Sequence, residues 1–301
     1  MKTLLKQEQV AEIARIQNIK ATPYVVSVNR FGKGTEIWQA DALSSWIFKF
    51  YFTQDGEQTV NRTAELYKRL KPGMEELGIE VPKPNVFQVE DFPRKHSKPS
   101  IRLPNSFKLT DTVNSCWCSL TKKLEGEKLT TVHDKLSDEE REEAYEKLGR
   151  VIAEIGKIKF PHYGYLGSAL KPTIARSLND FLSDLKGEAE RIFKGYTKEQ
   201  NWIKPAFSIL ERIIQAQQEA QPCCVINDFN KDSVLLQQGN TGLYRVSGII
   251  DLDESLSAYP EFGLSRALAY LTSNSDPAFP DYGKEYQCLI KGYEEIVEKK
   301  C

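Results

Sequence analysis

A chain of 301 residues with 40% hydrophobic and 28% charged side chains is long enough for one large or two modest globular domains. Its formal net charge of -1 lacks the basic excess of a polyanion binder or a membrane-surface protein. No apolar run approaches the roughly 20 residues that span a bilayer.

The charge is unevenly placed. Residues 1–122 carry 18 basic and 13 acidic side chains, and residues 123–301 carry 23 and 29. This split fits a basic half for an anionic ligand and an acidic half for a cationic one, and equally a chance division of solvated faces. The N-terminus, MKTLLKQEQVAEIARIQNI, is polar where a signal peptide needs an apolar core, so a cytoplasmic location is expected. It reads as an amphipathic helix with Leu5, Val10, Ile13 and Ile16 near one stripe. The six cysteines form no Cys-x-x-Cys pair and read as small reduced hydrophobes.

Strands are predicted next. Tyr24–Val28 is a short β-rich run, followed by the two-glycine turn Phe31-Gly32-Lys33-Gly34-Thr35, by Ile37–Ala40, and by the aromatic run Trp46–Phe52, interrupted by Lys49. Helical spacing over 57–70 ends at Pro72 and Gly73. Strand-like segments return over 79–120, broken by a basic, proline-flanked surface loop at 93–99. Leu124-Glu125-Gly126-Glu127 makes a hinge. Beyond it the chain turns helical: Ser137 and Glu140 form a capping box, and further helices fit 174–194, 199–219, 262–274 and 283–298. Only 223–253 interrupts them. A strand-rich first part hinged to a helix-rich second part predicts an α+β class with two lobes, 1–122 and 123–301, the hinge lying near 120–127.

The chemistry concentrates in two acidic loop ends. Val225-Ile226-Asn227-Asp228 leads through Asn230, Asp232 and Ser233 into Val234-Leu235-Leu236, and a turn at Gly239–Gly242 returns the chain to Gly248-Ile249-Ile250-Asp251-Leu252-Asp253-Glu254. A hairpin here brings Asp228 and Asp251 onto one rim. Magnesium takes hard oxygen ligands, commonly one or two carboxylates plus substrate phosphates. A separate carboxylate can orient an attacking hydroxyl and accept its proton.

This segment resembles the catalytic loop of the aminoglycoside phosphotransferase and choline kinase-like superfamily, small-molecule kinases with a protein-kinase-like fold. The family pattern is His-x-Asp, four residues, Asn, an apolar run, then a hairpin into Ile-Asp-x-Asp or Ile-Asp-x-Glu. The resemblance implies Asp228 as the catalytic residue, with Asp251, Ser233 and Asp253 as metal residues. The family's His falls on Ile226 and its magnesium-binding Asn on Ser233; Asp232 or Asn230 takes that place if the register differs. Pro260–Arg266, Tyr163-Gly164-Tyr165-Leu166-Gly167 and the hinge strand Leu120–Glu127 also match the family in order.

In the first half the resemblance implies that Gly32 and Gly34 cover the nucleotide phosphates, and that Lys49 clamps them. Strand alternation turns Lys49 the same way as Ile47 and Tyr51, which is costly without an anion; a lysine snorkelling at a strand edge is the other reading. Glu65, with Glu57 as the weaker alternative, is the implied ion-pair partner. The expected activity is transfer of the γ-phosphate of ATP or GTP, with Mg2+, to a hydroxyl of a small molecule. A cationic aminoglycoside-like antibiotic or amino alcohol suits the acidic half, and no nucleic acid or membrane partner is expected. A non-catalytic nucleotide- or ligand-binding pseudokinase is the alternative that Ile226 and Ser233 motivate. Residues 160–220 are expected to line the acceptor pocket, with Tyr163, Tyr165, Trp202 and Phe207 as aromatic candidates.

Overall fold

The computed structural model describes residues 4–20, 22–28, 34–40, 45–90, 99–103, 115–172, 177, 180, 183, 221–272 and 283–298. The expected helix at 199–219 lies outside them, as do all but residues 177, 180 and 183 of the one at 174–194, all but residue 99 of the basic loop at 93–99, and Gly32, Trp202 and Phe207.

The first part is a six-stranded sheet in the order β1 (Tyr24–Val28), β2 (Thr35–Gln39), β3 (Trp46–Tyr51), β6 (Ser115–Lys122), β4 (Asn85–Glu90), β5 (Ser100–Arg102). All neighbours are antiparallel except β4 and β5. β3 is central, with Lys49 opposite Ile37 on one side and Ser119 on the other. Its alternation is strict. Phe48 and Phe50 are fully buried in a core with Phe87, Val89, Cys116, Cys118 and Leu120. Lys49 and Tyr51 therefore leave by the opposite face. Each buried phenylalanine contributes about 1.5–3 kcal/mol relative to an exposed one.

Helix α1 (Gln7–Ile16) closes this core from the outside with Leu5, Val10, Ile13 and Ala14; Ile16 stays 36% exposed. The helix is tethered by buried Glu36, whose carboxylate accepts from the Leu4 and Leu5 amides and from Trp38 Nε1 (3.1 Å).

Helix α2 runs over Gly56–Glu76, past the end expected from Pro72. A proline inside a helix frees the carbonyl four residues earlier. Here that residue is Lys68, whose side chain is 80% exposed, so water can satisfy it. Leu66, Tyr67, Leu70 and Met74 hold the helix in place by packing into the second core.

That core belongs to the helical part. α3 (Leu129–Val132), α4 (Asp138–Ile155), α5 (Pro260–Thr272) and α6 (Lys284–Glu298) surround two small sheets, β11-β10-β7 and β8-β12-β9. These are built from β7 (Glu127–Lys128), β8 (Gly164–Tyr165), β9 (Cys223–Ile226), β10 (Val234–Gln238), β11 (Tyr244–Ile249) and β12 (Ser255–Ala258). The Ser137 capping box forms as expected: the Ser137 amide donates to Glu140 Oε2 (2.8 Å) and the Glu140 amide to Ser137 Oγ (3.2 Å). The hairpin β10–β11 also forms where its turn residues predict it.

α4 and α6 approach so closely that a β-carbon on Gly149 would run into the Leu289 carbonyl, and one on Gly292 into the Glu146 carbonyl. Arg150–Glu295 (2.9 Å) and Lys291–Glu146 (2.7 Å) flank the contact. Backbone atoms cannot give way as a side-chain end can. Gly149→Ala and Gly292→Ala should each destabilise the protein by about 3 kcal/mol, read as a fall in the denaturant midpoint at unchanged m-value.

Candidate active site

Two chain segments meet below β3. β9 ends at Ile226, and Asn227-Asp228-Phe229-Asn230 turns into a 3-10 turn at Lys231–Ser233 and then β10. After β11 the chain passes through Asp251-Leu252-Asp253-Glu254 into β12, which returns to pair with β9, Ser255 opposite Ile226. The Asn227 amide donates to the Glu254 carbonyl (2.8 Å) and the Ile250 amide to the Ser233 carbonyl (2.9 Å). These pairings, as much as the hairpin, bring Asp228 and Asp251 to the same cavity.

Phe229 is 2% exposed and anchors the first loop in the core, and Ile226, at the position of the family's histidine, packs there too. Arg266 of α5 donates to the Asn227 carbonyl (3.2 Å). Asn230 Nδ2 donates to Asp228 Oδ1 (3.0 Å), and its own Oδ1 accepts from the Asp232 amide (2.8 Å). Asp232 turns elsewhere, accepting from Thr130 Oγ1 (3.0 Å) beside Lys128 (3.4 Å). Asp251 adopts a left-handed backbone, φ +61°, which costs a non-glycine residue about 1–2 kcal/mol. The Leu252 amide donates to buried Tyr67 Oη (3.3 Å), helping to hold that turn.

Lys49 enters from above. Its Nζ lies 2.7 Å from Asp251 Oδ1 and 2.5 Å from Asp253 Oδ2, and 5.5 Å from the Tyr51 ring centroid. Burial alone would lower its pKa, but Asp253, Tyr51 and Asp251 outweigh it and hold the ammonium well above the ordinary lysine value. Lys49 in turn holds Asp251 below the usual carboxylate value, against burial. Tyr51 Oη donates to Asp253 Oδ2 (2.9 Å), and burial raises its pKa well above the ordinary phenol.

Glu65 does not reach Lys49. Its carboxylate meets Arg69 (3.1 Å) and Lys68 (3.7 Å) on the outer side of α2. The reason is helical phase. Thr59, Arg62, Thr63, Leu66, Tyr67 and Leu70 share one side by three- and four-residue spacing, and Glu65 falls off it. The helix instead sends Arg62 and Thr63 to the site. Arg62 donates to the carbonyls of Leu166 and Asp253 (both 2.7 Å), and the single Thr63 hydroxyl proton is shared between Thr59 O (2.9 Å) and Asp253 Oδ1 (3.2 Å). These two, with Tyr51 and Tyr67, were missed in the sequence. The strand alternation that turns Lys49 inward also turned Tyr51 inward; Arg62 carried no signal beyond lying on the apolar side of its helix.

Gly34, φ +61°, pairs its carbonyl with the Phe52 amide (2.7 Å) where β2 begins, and the next residue, Thr35, lines the cavity. The cavity has a volume of about 530 Å3 and brings together Lys49, Asp228, Asp251 and Asp253. Ser233 is 2% exposed and is not among the residues that line it. Tyr163 is buried and Tyr165 is 57% exposed.

Among the described residues, no three His, Cys, Asp or Glu side chains gather to hold a metal by themselves. Asp251, 57% exposed, has only Oδ1 bonded to Lys49 and keeps oxygen surface at the cavity. Hard carboxylate oxygen with room for phosphates fits magnesium, which is commonly shared between protein and nucleotide. The depressed Asp251 makes one prediction about pH. Its contribution to stability is at full strength above its unfolded value of about 3.9 and is lost as pH falls toward the lower folded value. The difference in unfolding free energy between wild type and Asp251→Asn should therefore be constant above about pH 5 and shrink below about pH 4.

A model of the phosphotransferase enzyme family matches residues 36–297. No curated protein matches the sequence. Among solved structures, APH(2")-IIia in its GDP and kanamycin complex is similar with a TM-score of 0.61 at 13% identity, over 98% of this chain and 86% of that one. APH(2")-IIa in its ternary complex with streptomycin and ATP gives 0.57 at 17%, over 100% and 87%. The thermostable APH(4)-Ia mutant with ADP and hygromycin B gives 0.54 at 12%, over 85% and 74%. At these identities the likeness is one of fold. No helix among the described residues is long and apolar enough to cross a membrane. Family match and two-lobed α+β architecture agree: the chain belongs to the phosphotransferase enzyme family and is a small-molecule kinase of protein-kinase-like fold.

Proposed function

We propose that this protein transfers the γ-phosphate of ATP or GTP to a hydroxyl of a small cationic acceptor, an aminoglycoside-like molecule or an amino alcohol, in the cytoplasm. The reading rests on one observation: Lys49, Asp228 and Asp251, from three separate segments, line a single cavity. Similar structures with nucleotide and aminoglycoside bound support it. The carboxylates Asp55, Asp228 and Glu254 around the cavity suit a cationic acceptor. The two lobes divide near 120–127, where β6 gives way to β7.

In this reading Lys49 pairs with the α- and β-phosphates, and Gly32 and Gly34 let the backbone of their turn approach them. Asp228, its carboxylate steadied by Asn230, orients the acceptor hydroxyl and takes its proton. Asp251 would hold the metal, with Ser233 as the second oxygen that the family order implies. Magnesium, when bound, supplies the positive charge that offsets charge developing on the phosphates.

Purified protein given magnesium, ATP or GTP and a panel of aminoglycosides and amino alcohols should consume nucleotide and yield a phosphorylated acceptor. Asp228→Asn should lower transfer by about 10²–10⁴-fold with nucleotide binding kept. Undiminished transfer in that variant would overturn the role of Asp228. Magnesium-dependent nucleotide binding without product from any acceptor would instead favour the non-catalytic alternative. Ser233→Ala should raise the magnesium concentration for half-maximal rate while leaving the fold intact, and an unchanged requirement would remove Ser233 from the metal site.

A further inference from the structure

We propose that Asp253, and not a carboxylate of α2, is the residue that orients Lys49 in this chain, and that Arg62 and Thr63 hold Asp253 in place for it. The proposal rests on the reading of Lys49 as a phosphate clamp.

A lysine on a sheet face keeps its charge and direction in a partly buried cleft only beside an anion. The α2 residues that line the cavity are Thr59 and Arg62, neither of them acidic. The two carboxylates near Lys49 differ in how they are held. Asp251 is 57% exposed at the side chain, and only its Oδ1 is bonded to Lys49. Asp253 is 17% exposed and contacted at both oxygens: Oδ2 receives Lys49 (2.5 Å) and Tyr51 Oη (2.9 Å), and Oδ1 lies 3.2 Å from Thr63 Oγ1, which shares its proton with the Thr59 carbonyl (2.9 Å). Its backbone carbonyl takes a further bond from Arg62 (2.7 Å). A carboxylate so enclosed is held in place, while one with an exposed oxygen can exchange partners. Asp251 can thus release Lys49 to phosphate and turn to other ligands, and Asp253 keeps the ammonium aimed.

Arg62 makes this arrangement possible. Its planar fork bridges two carbonyls on separate segments, Asp253 and Leu166, fixing α2 to the metal loop and to the turn at β8. A lysine has no second arm. Burial lowers the Arg62 pKa against the pull of Asp253, and its Nε is buried without a partner. Such a residue is retained for position and not for its own stability.

The test uses the full chain and the variants Asp253→Asn, Arg62→Lys and Glu65→Gln. Acylation of Lys49 by an amine-reactive ester, without nucleotide and followed by peptide mass spectrometry, reads the tether directly. Asp253→Asn and Arg62→Lys should acylate Lys49 at least about fivefold faster than wild type, and Glu65→Gln at the wild-type rate. In turnover, Asp253→Asn should raise the nucleotide KM about tenfold with a smaller change in kcat, and Glu65→Gln should change neither. If Asp253→Asn does not fold, Arg62→Lys and Tyr51→Phe carry the same comparison. Equal effects of Glu65→Gln and Asp253→Asn, or no effect of Asp253→Asn on the acylation rate, overturn the proposal. The predicted acylation pattern in a protein that transfers no phosphate leaves the tether standing and removes only its role in catalysis.

Discussion

The structure turns on one ammonium group. β3 must bury Phe48 and Phe50 to form the first core, and a strand alternates, so Lys49 is forced onto the inner face. An unpaired ammonium there would be expensive. Two carboxylates from residues about 200 positions away meet it, Asp251 at 2.7 Å and Asp253 at 2.5 Å. Pairing with Lys49 thus presents the Asp251–Asp253 loop to the sheet. In the proposed function the same contact also serves phosphate chemistry.

The loop can meet that demand because both of its ends are pinned. β11 delivers it from the hairpin, and β12 carries it away by pairing with β9, whose own end bears Asp228. Closing the chain this tightly places Asp251 in a left-handed conformation. That strain is small beside the bonds that over-determine the turn, from Tyr67 beneath it and Thr63, Arg62 and Tyr51 around its next acidic residue. Strain concentrated where an acidic side chain must project is a common mark of a working site.

The two cores divide the work. The first fixes the sheet and α1 through aliphatic and aromatic packing around Glu36. The second runs from α2 through α4 to the acidic loops, so Leu66, Tyr67 and Leu70 share a core with Ile226, Phe229 and Leu252. α2 thereby belongs energetically to the helical part while lying against the sheet. This double attachment explains why the helix survives Pro72. Packing on one side outweighs a hydrogen bond lost on the solvent side.

Much of the site could be read in the sequence, because its signals are local. Apolar runs ending in Asp228 and Asp251, a glycine-marked turn between them, and a lysine inside an aromatic strand are all short-range patterns, as is the capping box at Ser137. They determined the strand-then-helix order, the hairpin, and which face of β3 Lys49 would take. What Lys49 would find there was decided only by the tertiary structure. Glu65 follows the family order, but the phase of α2 carries it outward and brings Arg62 and Thr63 inward. β12, four residues without strong β patterning, exists because β9 and β8 offer it edges to pair with. Chemistry-bearing residue types are written along the chain. Their partners are set by helix rotation and strand pairing across more than a hundred residues, and those depend on packing that no local pattern contains.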